Sequence, residues 1–435
     1  MMGNVNNILP VRCSTRAEVT YSAALKFDRD VDMKRVKVIT IAFAFMLVIV
    51  AATAQPVAAA SRSDSLRSYI SGRFDVQRGG YSPPSDGVVR VDATYGAILA
   101  QNELGSLIAR PPPVNLRQVL DSLIIRQWNV TETTNNTESV DYKRYGGFSE
   151  YLIGPVTMNM NMMGITLLTI LKAQADYPGI TSVDIDTEAL LTHINRTQTA
   201  FGAFGAVPGY NPDIVSTYQA LYIIDFLSGY DPSLNAWDIV ANETATLEWI
   251  NNCRNGDGFK LSPEADTVGV TATAAGIMAL DLLPSVSTVP GLQDATNWIL
   301  DRQIEDSVNE NFIGGFEEGV GTEDPNFQTT YYALKLLASS GGFSSVNETT
   351  VKEFILNCQV ADGSWGYIPG AETGNLVYAG QACELLNLLG SAVSILASSE
   401  DPNSPGGFAL DWRYLVVVGV VLVALVLAVV SVRRD

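Results

Sequence analysis

Basic residues are scarce in this chain. Twenty-seven Lys and Arg stand against 46 Asp and Glu, a formal net charge of −19 over 435 residues. Neutralising phosphates takes clustered bases, so the balance points away from nucleic acid and anionic lipid as partners. Histidine occurs once, as His193 in Leu191-Thr192-His193-Ile194. That segment has helical periodicity, and a single imidazole on it reads as a packed or surface residue. Four cysteines invite a disulfide reading in an exported protein, but their places along the chain lead to none that is essential.

What the chain has in quantity is glycine followed by an aromatic residue. The segments Gly79-Gly80-Tyr81, Gly146-Gly147-Phe148, Gly202-Ala203-Phe204, Asp257-Gly258-Phe259, Gly314-Gly315-Phe316 and Asp362-Gly363-Ser364-Trp365 recur roughly every 50 to 65 residues, as in a helix-pair repeat. Before each turn runs an amphipathic helix pattern, ending in sequences such as Ile125-Arg126-Gln127, Arg302-Gln303 and Cys358-Gln359. After each loop runs a more apolar pattern, opened by Thr94-Tyr95, Thr217-Tyr218, Thr330-Tyr331 or Val377-Tyr378. Helices apolar on most sides belong inside. An open array would need polar capping repeats, and the sixth unit is as apolar as the third. The expected fold is therefore all-α: an (α/α)6 toroid of six helix-pair repeats, plus a C-terminal transmembrane helix.

The stretch Cys358-Gln359-Val360-Ala361-Asp362-Gly363-Ser364-Trp365-Gly366-Tyr367, with Asn255-Gly256-Asp257-Gly258-Phe259 and Asp92-Ala93-Thr94-Tyr95, resembles the repeats of protein prenyltransferase β subunits and of squalene and terpenoid cyclases. The resemblance covers about residues 62 to 392 and speaks to fold more than to activity. It implies, for the prenyltransferases, a zinc site of Asp, Cys and His at the mouths of inner helices. Here Gly269-Val270-Thr271 stands where the Asp-x-Cys should be, and the His position falls near Asn326. It implies, for class II cyclases, an Asp-x-Asp-Asp acid; the nearest sequence, Asp184-Ile185-Asp186-Thr187-Glu188, precedes an outer helix and reads as an amino-terminal cap.

The two ends carry targeting signals. Residues 1–32 read as an upstream extension of doubtful start, and 33–60 as a signal peptide with the basic Met33-Lys34-Arg35-Val36-Lys37, an apolar run and Ala58-Ala59-Ala60. Residues 61–392 form the toroid ectodomain and 393–413 a linker. Residues 414–432 form an apolar run about 28 Å long as a helix, enough to span a bilayer. Arg433-Arg434 in the 433–435 tail stay cytoplasmic and leave the body outside, a single-pass cell-membrane arrangement. Sequons at Asn129, Asn135, Asn242 and Asn347 are glycosylation candidates on an exported body.

Cys253 and Cys358 occupy equivalent positions in the fourth and sixth repeats, too far apart in a ring for a bridge of roughly 7 Å between Cα atoms. Both read as packing residues. A bond from Cys358 to Cys383 is the one pairing left open.

The loops that rim one mouth of such a ring hold Asp86, Asp92, Glu150, Asp213, Glu264, Asp266, Glu317, Glu318, Glu323, Asp324 and Glu372, against two bases, Arg90 and Lys260. A prenyl diphosphate would be repelled there. The candidate ligand-binding residues are Asp92, Tyr95, Asp213, Tyr218, Asp266, Asp324, Gln328, Tyr331, Trp365 and Tyr378, as polar or aromatic groups at the inner-helix starts and loops. No catalytic residue is named and no cofactor is expected, with zinc and calcium left open.

Three functions compete. One is a binding toroid that takes an apolar or peptide ligand in its axial cavity without zinc-dependent prenyl transfer. Another is an active, diverged prenyltransferase or terpenoid cyclase. The third is a carbohydrate-active toroid using Glu317, Glu318, Glu323 and Asp324, which read more simply as a solvated loop.

Overall fold

The computed structural model describes residues 55–57, 60–109, 112–130, 137, 139–240, 242–402 and 407–409. The sequence-based expectations for residues 1–32, for most of 33–60, for the span 414–432 and its tail, and for Asn135 lie outside them. Among the described residues, no single helix is long and apolar enough to cross a membrane.

Six helix pairs follow in chain order: α1 (Arg62–Ser71) and α2 (Val91–Glu103), α3 (Leu116–Ile124) and, after a short α4 (Val140–Arg144), α5 (Met158–Lys172), α6 (Thr187–Thr197) and α7 (Ile214–Tyr230), α8 (Glu243–Asn252) and α9 (Val270–Leu282), α10 (Leu292–Leu300) and α11 (Phe327–Ser340), α12 (Glu348–Asn357) and α13 (Leu376–Leu388). A last helix, α14 (Ala392–Ser398), packs on α13 and α1. The first helix of each pair is amphipathic. In α3, Leu116, Val119, Leu120 and Leu123 are buried at the three- and four-residue spacing that makes one apolar stripe. The second helix is buried nearly all round, as in α9 with Val270, Ala272, Ala274, Ala275, Gly276, Ile277, Ala279 and Leu280.

The second helices α2, α5, α7, α9, α11 and α13 pack on one another in sequence, and α13 packs back on α2. They form a closed inner ring. At that closing contact the two backbones nearly touch: a Cβ on Gly96 would lie 2.1 Å from the Leu376 carbonyl oxygen, and one on Gly380 would lie 2.5 Å from the Gly96 oxygen. Only glycine at both positions permits the approach.

The outer helices are linked by the Gly-aromatic turns. Gly146 has φ +83° and a Cβ there would lie 1.7 Å from the Ala189 carbonyl oxygen on α6; Gly363 has φ +89° and would strike Ser65 on α1. Each of these turns rests on the next outer helix, and the last of them rests on the first. Glutamine does the same work with hydrogen bonds. Gln127 binds both backbone groups of Asp186, the cap of α6, at 2.6 and 2.8 Å, and Gln303 binds both of Asn347, the cap of α12. Across the ring closure Gln359 donates to the Arg62 carbonyl at 3.2 Å while Arg62 Nη1 donates to Gln359 Oε1 at 3.0 Å.

The turns also hold short strands, a difference from an all-helical expectation. β2 (Phe74–Asp75) pairs with β3 (Gly80–Tyr81), β4 (Arg254–Asn255) with β5 (Gly258–Lys260), and β5 with β6 (Val268–Gly269); single bridges Gln127 to Phe148, Gln198 to Phe204, Gln303 to Phe316 and Gln359 to Trp365 repeat the motif. The chain reverses tightly after each outer helix, so the backbone groups on its two sides are left facing and pair. Outside the toroid, β1 (Gln55–Val57) pairs antiparallel with β7 (Gly407–Ala409) in a separate small unit.

The turn aromatics are core. Tyr81, Phe148, Phe204, Phe259, Phe316 and Trp365 are 0 to 1% exposed. The amide of each of the first five donates to a polar side chain in the first turn of the inner helix: Thr94, Asn161, Thr217, Thr273 and Thr330. That bond explains why threonine recurs at the start of these helices. Cys253, Cys358 and Cys383 are buried free thiols.

Candidate functional site

Inside the ring, the first turns of the inner helices leave a cavity of about 360 Å³. One wall is sulfur and hydrocarbon: Met160, Met162 and Met163 from α5, with Ala93, Leu376 and Val377. Thioethers on unbranched side chains give a wall that adapts to an apolar guest. Another wall is aromatic, with Tyr95, Tyr331, Tyr332 and Tyr378. Polar groups are few: Asp92, Asn159, Gln328, Asn375, Gln381 and Arg90.

The Tyr331 hydroxyl opens a part-buried polar chain. Tyr331 donates to Glu384 Oε2 at 2.9 Å, and Lys335 donates to Glu384 Oε1 at 2.6 Å. Burial pushes the Tyr331 phenol well above its ordinary pKa, and the Glu384 charge adds to the shift, so the phenol stays a donor at neutral pH. Tyr95, 5% exposed, hydrogen-bonds Tyr331 and is raised in the same way, first by burial and then by Glu384.

The two bases of the rim are spoken for. Arg90 is clamped by Asp86 and Glu150, and Lys260 donates to the Pro263 carbonyl. The two carboxylates offset the Arg90 charge, whereas the Pro263 carbonyl holds the Lys260 ammonium without neutralising it. Asp92 differs: burial raises its carboxyl pKa first, with the Glu150 charge adding, while the Ala93 amide and Arg90 oppose.

The residues present do not fit the zinc set that the fold family implies. Gly269 precedes α9 with no side chain to cap it, and the Glu318 carboxylate fills the place: it accepts from the Thr271 amide at 3.1 Å, the Thr271 hydroxyl at 2.6 Å and the Thr329 hydroxyl at 2.6 Å. A Cβ on Gly269 would lie 2.3 Å from Glu318 Oε1, so a side chain there would have to displace this carboxylate from its bonds to Thr271 and Thr329. Asn326 is used as the cap of α11, accepting from the Thr329 amide at 2.9 Å. Among the described residues no group of three His, Cys, Asp or Glu side chains is placed to hold a metal. His193 is fully buried on α6, packed against Gly147 of the second Gly-aromatic turn, and does not line the axial cavity.

Of the residues expected from sequence, the cavity brings together Asp92, Tyr95, Gln328, Tyr331 and Tyr378. The others lie elsewhere. Asp213 caps α7 through the Ser216 amide and hydroxyl. Tyr218 is half-buried against Tyr222, with ring centroids 6.3 Å apart. Asp266 and Asp324 are exposed on loops. Trp365 is wholly buried and its indole donates to the Ile355 carbonyl at 2.8 Å, a packing role. The acidic loop is not simply solvated either: Glu317 is 6% exposed and accepts the amides of Gly321 and Glu323, both at 2.9 Å, and so shapes the loop. Asn129, Asn242 and Asn347 are exposed, as a glycan requires.

Sequence reasoning missed Glu384, Lys335 and the methionines. A charged pair within two otherwise apolar inner helices was the available signal, since such residues are buried only when paired.

A closed ring of six helix pairs around an axial cavity is the α/α toroid architecture. The family model for the prenyltransferase alpha-alpha toroid domain matches residues 89–314 and 307–398, and the chain belongs to that family. It is similar to the β subunit of geranylgeranyl transferase type-1 from Arabidopsis thaliana, 25% identical over 200 residues, which is 43% of this chain and 48% of the relative. The match thus spans about half of that relative's length. Among solved structures it is similar to protein geranylgeranyltransferase-I of Candida albicans complexed with GGPP, with TM-score 0.52 and 16% identity over 72% of this chain and 88% of that one. The type II terpene cyclase MstE from Scytonema aligns with TM-score 0.44 and 14% identity over 77% and 99% of the two chains.

Proposed function

We propose that this toroid binds an apolar or peptide ligand in its axial cavity and does not perform zinc-dependent prenyl transfer. The observation that carries this is Glu318: the carboxylate bonded to Thr271 and Thr329 occupies the mouth of α9, where a metal ligand would have to stand. Three neighbouring donors make it a structural cap, and moving it would leave the α9 terminus unsatisfied. The methionine wall suits an isoprenoid or other hydrocarbon chain, such as that of the GGPP in the Candida structure, whereas the clamped Arg90 supplies nothing to its diphosphate.

In this proposal the body works outside the cytoplasm, tethered by the 414–432 helix and glycosylated at the exposed sequons. Isoprenoid diphosphates are not expected there, which favours binding over prenyl chemistry.

Calorimetric titration of the purified chain with geranylgeranyl diphosphate and zinc tests the reading. No heat of specific binding is expected at physiological salt, and no transfer to a thiol peptide. Carboxylates within roughly 10 Å each oppose the diphosphate by on the order of a kcal/mol at an effective dielectric near 20. Micromolar binding that is lost in Arg90→Ala would overturn the proposal and restore the prenyltransferase reading.

A further inference from the structure

We propose that the ligand of the axial cavity is a cation on an apolar body, held by the ring faces of Tyr95, Tyr331, Tyr332 and Tyr378 and by the Asp92 carboxylate. This rests on the axial cavity being a ligand site and names the class of guest.

Charge and ring placement carry the argument. Four tyrosines from three inner helices line one cavity of about 360 Å³. Tyr331 and Tyr332 stand edge to face, 6.0 Å between centroids, so they present their rings at right angles. Phe327 and Tyr367 back Tyr378 at 5.3 and 6.2 Å. An aromatic face is the negative pole of the ring quadrupole, and several faces around one space select an organic cation, most strongly where water is displaced.

Acids outnumber bases around the cavity: Asp86, Glu150, Glu384 and Asp92 stand against Arg90 and Lys335. Arg90 is taken by Asp86 and Glu150, and Lys335 by Glu384. Asp92 lines the same cavity, and its carboxylate accepts the adjacent Ala93 amide at 2.7 Å. Burial and Glu150 together disfavour its ionised form, the expected state of a carboxylate awaiting a counter-ion. A positively charged guest would restore that ionisation, and an anionic guest would meet the Asp92 carboxylate beside an Arg90 already held by two acids.

The test uses three guests with one hydrocarbon tail: hexyltrimethylammonium, 1-hexanol and hexanoate, each titrated calorimetrically into the full chain. The ammonium is expected to bind about tenfold more tightly than the alcohol, and hexanoate most weakly. Asp92→Asn should bring the ammonium to within about threefold of hexanol and leave hexanol unchanged; Tyr378→Leu, checked for an unaltered circular dichroism spectrum, should weaken the ammonium more than the alcohol. If hexanol binds and the ammonium binds no better, or if neither variant alters the preference, the cation inference falls while the apolar cavity stands. If none of the three binds, the axial-cavity reading itself is overturned.

Discussion

His193 is 0% exposed on the third outer helix, and burial pushes its imidazole pKa down to about 4 from an ordinary 6.5. The folded protein therefore holds it neutral. A group whose folded pKa is depressed binds fewer protons folded than unfolded, so its stabilising contribution is complete above 6.5 and is lost as pH falls toward 4. Over that window the loss is roughly 3 kcal/mol. Thermal melts between pH 7.5 and 4 should show a decline in Tm that His193→Leu flattens; a decline of the same size in that variant would assign acid sensitivity to other groups. Glu318 shows a second residue-scale point. This one carboxylate, placed across a ring contact, accepts from Thr271 and Thr329 at the mouth of α9, and the acid-rich loop around it gave no hint of those partners.

At the scale of the element, the outer helices are joined by an amide rivet. Gln303 accepts from the Asn347 amide at 3.1 Å, which the helix itself leaves open, and donates at 3.4 Å to the Asn347 carbonyl, which also takes the Val351 amide of α12. Gln127 does so for α6 with shorter bonds. Replacing Gln127 by Leu should destabilise the ring by about 1 to 2 kcal/mol, since the Asp186 amide loses its partner while the Asp186 carbonyl keeps the Leu190 amide of α6. Urea unfolding would show a lowered midpoint with an unchanged slope. A midpoint shift below about 0.5 kcal/mol would mean that water replaces the amide without loss.

For the whole molecule, closure depends on the α2–α13 contact. Gly96→Ala would set a methyl group 2.1 Å from the Leu376 carbonyl oxygen, on backbone that cannot turn aside as a side chain can. The expected cost is about 3 kcal/mol, and the opening should appear as faster hydrogen exchange in both α2 and α13, although they are separated by some of the longest stretches of sequence in the toroid. Exchange raised in α2 alone would show that the ring does not close cooperatively. Gly105→Ala is the control, because nothing lies within 4 Å of its missing Cβ, although its φ of +64° brings some local strain.

The sequence by itself determined the repeat and its count. Glycine needs, aromatic burial and helix periodicity are local properties, and each of the six Gly-aromatic turns announces itself within a dozen residues. It also determined that α2, α5, α7, α9, α11 and α13 lie inside, because a helix apolar on most sides has no stable place at the surface. The functional site is a different matter. Asp92, Tyr95, Gln328, Tyr331 and Tyr378 were legible because they begin inner helices, yet Asp213 and Trp365, chosen on the same grounds, are a cap and a core residue. Only tertiary structure sorts them: Asp213 is the cap of its helix whereas Asp92 lies within the first turn of its own, and Trp365 shares the buried turn position of the other five aromatics. The Glu384–Tyr331 and Glu318–Thr271 bonds join residues 53 and 47 apart in sequence. No local pattern encodes such a pair; it exists because the ring brings successive inner helices side by side, and burial then makes each polar group find its partner there.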